Sequence, residues 1–314
     1  MLETLLITAL LGAHPAHPAP FAAQTIDATS TTTSSSTSAD AQDYAAGGIT
    51  LADIIRAQAA PESLQGFETV VLAQLNAAFG SENLPQVNGA PVEPGIYLTV
   101  SPTALYMFDT EVTPLSGGLT PPGPASRECK SGCKQLLWAG FRRLWLQTLE
   151  EAQRLTLEVP TRVMFGAEAS VPAKTIVELA YAAGETRPGV PPNFSLLVNG
   201  GNAGLRARPF YVLPPGGMRV APGDNALGLR ISLSAGESFE ISAAHPRFAP
   251  RISGTGWKEL AKQLVAIKKK YPNKTTLVID VGDASVGDVA MVMLAANKKF
   301  ANFVLTDGLP IKWG

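Results

Sequence analysis

Residues 95–108 read GIYLTVSPTALYMF and residues 228–241 read GLRISLSAGESFEI; the two align without a gap. Gly stands against Gly, apolar positions alternate along both, and a Ser is shared. Successive side chains of a strand point to opposite faces, so alternation on both sides of Pro102-Thr103 and Ala235-Gly236 predicts a β-hairpin in each copy.

Working outward, each hairpin is followed by a helical pattern. Leu137, Phe141, Leu144, Trp145, Leu149 and Ala152 form one apolar stripe, with Arg142, Arg143, Glu150 and Glu151 largely off it. Trp257, Leu260, Ala261, Leu264 and Val265 form the other, opposite Lys258, Lys262 and Lys269. Both predict amphipathic helices laid on a sheet, with their tryptophans in the core. Next come VPTRVMFGAEASVPAKTIVELA and NKTTLVIDVGDASVGDVAMVML, each a β-branched strand running into an acidic turn and a short apolar helix. Ser170 and Ser285 are expected N-caps, with Pro172 in the first helical turn. Asn193-Phe194-Ser195-Leu196 and Asn302-Phe303-Val304-Leu305 close the two copies as strands. The expected fold class is therefore α+β: two tandem β-β-α-β-α-β units, each with two helices on a small mixed sheet. At about 90 to 105 residues, each has the size of one domain.

The second copy resembles the periplasmic domain of the ExbD/TolR biopolymer-transport family. The resembling residues are LGLRISLSAGESFEI, WKELAKQLVAIKKKYP, TTLVIDVGDASVGDVAMVML and NFVLTDG, covering roughly 225–310. Through the repeat the likeness extends to about 93–200. It implies domains that pair, and partners that include a membrane proton-channel complex, a transducer protein or peptidoglycan. It also implies a transmembrane helix with a proton-carrying aspartate. Here the sequence departs from the family: the N-terminal apolar run, Leu5 to Ala13, falls short of the roughly 20 residues of a span, and its nearest acid is Glu3.

That run has the length of a signal-peptide core, which predicts a leader at 1–23 and a periplasmic or envelope location. The n-region lacks Lys and Arg. Every residue from Thr29 to Ser38 is Ser or Thr, so 24–48 is expected to be a disordered linker without an apolar face to bury. Two short helical patterns, Leu51-Ile54-Ile55 and Phe67-Val70-Val71-Leu75, mark 49–92 as a helical segment split by Pro61. The units are then 93–200 and 228–314, joined by a Pro/Gly-rich connector at 201–227. Within that connector, Phe210-Tyr211-Val212-Leu213 is a candidate edge strand.

A formal charge of −1 in 314 residues gives no global electrostatic case for nucleic acid. Cys129 and Cys133, the two cysteines, flank Lys130-Ser131-Gly132 and could form a small local disulfide or remain free thiols. Zinc would need further ligands, and two of the three histidines lie in the leader, leaving His245, which has no nucleophile beside it. Asp280, Asp283 and Asp288 surround one turn, but without calcium-loop spacing, and the first copy keeps only Glu168. Gly200-Gly201-Asn202-Ala203-Gly204 precedes no helical pattern and reads as a linker start rather than a phosphate loop. Lys268, Lys269, Lys270 and Lys274, with Arg247 and Arg251 upstream, form a basic patch that suits an anionic polymer or simply a helix C-terminus. The loop Gly117–Ser126 is longer than its counterpart.

The expectation is a protein without catalytic, cofactor or metal sites. It would act as a binding or structural component of an envelope energy-transduction or transport assembly, as an intrachain pseudo-dimer. The alternative is a peptidoglycan- or polysaccharide-binding module; a hydrolase using the acidic turn ranks last.

Overall fold

The strands follow the alternation in the sequence, and the two faces of the sheet they build are covered differently. The computed structural model describes residues 51–52, 55–56, 64–93, 95–107, 110–130, 132–187, 193–214, 216–220, 227–234, 236–245, 248, 251–296 and 299–313. The expected leader and Ser/Thr linker therefore lie outside the described residues, as does Pro61.

Residues 51–52 and 55–56 are helical, and helix α1 (Leu64–Ala78) follows, then β1 (Ala90–Pro91), β2 (Ile96–Val100), β3 (Ala104–Met107) and β4 (Thr110–Pro114). Then come α2 (Gln135–Leu155), β5 (Arg162–Ala167), α3 (Ala173–Glu185) and β6 (Asn193–Asn199). Strands β7 (Leu205–Val212) and β8 (Met218–Val220) lead into β9 (Leu229–Ser234), β10 (Ser238–Ala243) and β11 (Ile252–Thr255). The chain continues through α4 (Trp257–Lys270), β12 (Thr276–Asp280), α5 (Val286–Ala296), β13 (Asn302–Thr306) and β14 (Ile311–Trp313).

The architecture is mixed α and β, with one 12-stranded mixed sheet in place of two small ones. Its order is β4-β3-β2-β5-β6-β7-β13-β12-β9-β10-β11, with β1 also pairing β7. The order β4-β3-β2-β5-β6 on one side is thus matched by β11-β10-β9-β12-β13 on the other. The matching extends to strand direction: β2, β5 and β6 are parallel, as are β9, β12 and β13, and the outer two strands of each set are antiparallel.

Two features correct the sequence expectation. Each half has a third strand, β4 or β11, before its first helix. Both are short edge strands that lack a clear apolar alternation, and in β11 the absence of a side chain at Gly254 accommodates the Phe239 ring, which would lie 2.7 Å from a Cβ there. Secondly, Phe210-Tyr211-Val212 lies at the middle of the sheet and not at an edge. It belongs to β7, which is antiparallel to β6 over six register pairs and parallel to β13 over two. Arg206, Arg208 and Pro209 interrupt the apolar pattern of this strand and give it the look of a connector.

Helices α2 to α5 cover one face. Ile96, Leu98, Val163, Phe165, Phe194 and Leu196 from the first half join Ile231, Leu277, Ile279, Phe303 and Leu305 from the second in one buried cluster beneath them. The intervening residues face the other way. Tyr97, Met164 and Leu197 pack under Val71 and Leu75 of α1, so these two residues of the helical pattern cover the first half. Val278 and Val304 of the second half are covered instead by Tyr211, Leu213, Leu309 and Ile311. Trp145 is buried and Trp257 half-buried, both against the core under the helices.

Buried Arg187 sits at the end of α3 between the rings of Trp145 and Phe194, at 5.8 and 5.9 Å. Its Nε donates to the Ala183 carbonyl at 2.9 Å and Nη1 to that of Thr161. Burial pushes its pKa down to about 10, still well above neutrality, so the cation remains charged and holds the helix C-terminus, where positive charge is favoured.

Candidate functional site

The two acidic turns after β5 and β12 meet each other. Val286 N–H donates to the Val171 carbonyl at 2.8 Å, Ala173 N–H to Ala284 at 2.9 Å and Gly287 N–H to Ala169 at 2.9 Å. Pro172 and Ser285 form an isolated antiparallel bridge at the same place. The chain can turn sharply here because Gly282 takes φ +49, and a Cβ on it would stand 2.8 Å from the Leu233 carbonyl oxygen.

Each member of the expected acidic trio has a different environment. Asp280 is ion-paired with Arg230, the two side chains being 14% and 19% exposed, and its other oxygen accepts from Gly308 N–H at 2.8 Å. Asp288 accepts from Ser285 N–H at 2.9 Å, while Ser285 Oγ accepts from Asp288 N–H at 3.1 Å. This is a reciprocal cap at the start of α5. Asp283 is exposed. Ser170 does not cap: α3 begins after Pro172, and the Ser170 hydroxyl donates to Glu168 at 2.7 Å instead. Pro172 holds the position ahead of the helix, which displaces the serine from it.

The trio is joined by an acid that the sequence reading passed over. Asp307 follows β13 at an exposed position, and its carboxyl pKa is raised, first by partial desolvation and then by the charge of Asp280, with Lys174 opposing and Asp283 adding to the rise. Asp307 also borders a cleft of about 530 Å³ with Lys130, Lys134, Lys174, Glu178 and Tyr181. The long loop is anchored on this cleft at two points, while its 122–125 stretch stays exposed: Thr120 Oγ1 donates to Glu178 at 2.6 Å and Thr175 Oγ1 to the Gly118 carbonyl at 2.7 Å. Lys134 bridges to Glu178 at 3.3 Å. Tyr181 donates to the Leu213 carbonyl, and burial pushes its pKa up to about 12. Cys129 and Cys133 are disulfide-bonded, with Cα atoms 5.8 Å apart. The tip of that small loop is tied down by Lys130 N–H, which donates to Glu185 at 2.7 Å.

A second cleft, of about 600 Å³, opens beside β1 and β7, against the segments that follow α4 and α5. It is lined by the cationic side chains Arg208, Lys268 and Lys299, with Asn88, Thr275 and Phe300. Arg208 is 7% exposed, and burial lowers its pKa. Lys268 donates to the Lys274 carbonyl and lies 5.5 Å from the Phe300 ring centroid; Lys299 donates to the Ala295 carbonyl at 3.3 Å.

The basic patch thus divides. Lys268 turns into the second cleft, Lys269 and Lys270 remain exposed, and Lys274 is buried. Arg251 pairs with Glu240 at 3.2 Å, and Arg247 lies outside the described residues. His245 N–H donates to the Leu227 carbonyl at 3.0 Å, in the turn after β10. The Gly200–Gly204 segment is a 3-10 turn that closes the β6–β7 connection. Among the described residues, no group of three or more His, Cys, Asp or Glu side chains is placed to hold a metal ion, and no helix is long and apolar enough to cross a membrane. No protein-family model matches the chain, and no curated protein is significantly similar to it.

Proposed function

We infer that the chain is a non-enzymatic binding component of the cell envelope, built from two ExbD/TolR-like domains fused as an intrachain pseudo-dimer. The observation that carries this reading is the contact between corresponding turns: Val171 and Val286, aligned in the two copies, are hydrogen-bonded to each other. An isologous dimer brings the same patch of each subunit to its axis, and a fused pair has the same geometry within one chain. The matched strand orders on either side of β7 support the same reading.

In this role the protein is an accessory to a periplasmic energy-transduction or transport assembly. The proton-driven step belongs to a partner channel. The acidic turn serves as architecture, since Asp280 is engaged by Arg230 and Asp288 by Ser285. The outer strands β4 and β11 offer the route to partners, because a sheet edge can accept an added strand.

The test is reconstitution of the full chain with the proton-channel subunit encoded nearest to it, followed by co-purification and crosslinking from β4 and β11. A specific complex that maps to these edges is expected. Absence of a complex, with sedimentation on purified cell-wall sacculi instead, would replace this reading with that of a polysaccharide-binding module. The exposed Lys269 and Lys270 make that the second reading.

A further inference from the structure

We propose that the cleft beside β1 and β7 is a binding site for a small polyanion, a ligand carrying two or more closely spaced phosphate or carboxylate groups. Three elements far apart in the chain bring positive charge to it. Arg208 comes from the middle of the sheet, Lys268 from the last turn of α4 and Lys299 from the segment after α5. None of the described lining residues carries a carboxylate.

The cations are held in place rather than left as free surface side chains. Lys268 is fixed by the Lys274 carbonyl and the Phe300 ring, and Lys299 by the Ala295 carbonyl. Each ammonium has three donors, so one bond to a carbonyl leaves others for a ligand. Arg208 supplies a planar guanidinium suited to paired oxygens. Thr275 and Asn88 add neutral hydrogen-bonding groups at the rim. A bound polyanion offsets the burial that depresses Arg208. A volume of about 600 Å³ accommodates a ligand of this size.

The remaining lysines of α4 provide the contrast. Lys258 and Lys262 are exposed on its outer side and do not line the cleft. This site is independent of the envelope role and stands or falls separately from it.

Calorimetric titration of the full chain at low ionic strength, with inorganic pyrophosphate and with citrate, tests the assignment. Saturable one-to-one binding is expected, and the tighter of the two probes identifies phosphate or carboxylate as the preferred group. Lys268→Gln and Lys299→Gln should each weaken binding about tenfold, the loss expected for one charge-assisted hydrogen bond. Lys258→Gln and Lys262→Gln should leave it unchanged. Arg208→Gln should remove binding, and because Arg208 is buried, the two lysine variants keep the test valid if that protein does not fold. Failure of both probes to saturate, or equal weakening by Lys258→Gln, overturns the proposal.

Discussion

The backbone N–H of Val286 donates to the carbonyl of Val171 at 2.8 Å, joining residues that occupy corresponding places in the two sequence copies. Around this bond, similar peptides have acquired different supports. Ser285 caps α5 in a reciprocal arrangement with Asp288, whereas exposed Ser170 donates to Glu168.

Removing the hydroxyl from each serine should therefore have unequal effects. Ser285→Ala is expected to cost about 1 kcal/mol, as loss of a helix N-cap does. Ser170→Ala should stay within about 0.5 kcal/mol, as an ordinary surface substitution. Urea unfolding of the two variants beside the parent protein measures the difference, and equal costs would refute the assignment of the cap.

The acidic turn gives a second contrast. Asp280→Asn leaves Arg230 without its carboxylate in a largely enclosed setting and should cost about 2 kcal/mol or more. Asp283→Asn changes an exposed side chain and should leave stability nearly untouched. Thermal unfolding checks both, and a large loss with Asp283→Asn would reopen the question of what that carboxylate does.

The matching halves were legible because alternation is strong wherever the two sheet faces have different neighbours, as with Leu98 and Tyr97 or Ile279 and Val278. The stripes of α2 and α4 were legible for the same reason, except that Leu149 and Val265, read as part of them, are exposed at the edge of each stripe. The central place of β7 was not, because Arg206, Arg208 and Pro209 look like linker residues until their neighbours are known. Nor were the clefts. Asn88, Arg208, Lys268 and Lys299 belong to separate segments, and no local spacing brings them together. The clearest local hint was Arg208, a cation next to the apolar run Phe210–Leu213.

Reducing the Cys129–Cys133 bond should destabilise the protein by about 2 kcal/mol, the chain-entropy expectation for so short a loop. The effect should be local. Hydrogen exchange is expected to rise at Lys130, whose N–H is held by Glu185, and around Thr120 and Lys134, which contact Glu178 of α3. Exchange spreading evenly through the second half would contradict this.

Titration should also separate Tyr181 from Asp307. Tyr181 has a folded pKa raised from 10.0 to about 12, so its contribution is complete below pH 10 and is lost as pH rises towards 12. Tyr181→Phe should lack that alkaline loss in unfolding measurements. Asp307 also has a raised pKa, so its protonated form favours folding at low pH, and that benefit disappears as pH rises through the folded value. Asp307→Asn should accordingly gain stability at neutral pH, with the gain shrinking as acid is added; a gain independent of pH would count against the assigned cause.

The strand between the halves is fastened unequally. Six register pairs tie β7 to β6, but only two tie it to β13, assisted by the Leu213 N–H bond to Leu305 at 2.9 Å. A load pulling the halves apart would thus peel the molecule along the β13 side, and β7 would leave with the first half. The hydrogen-bonding edge of β13 would then be bared, a ready template for pairing with another chain.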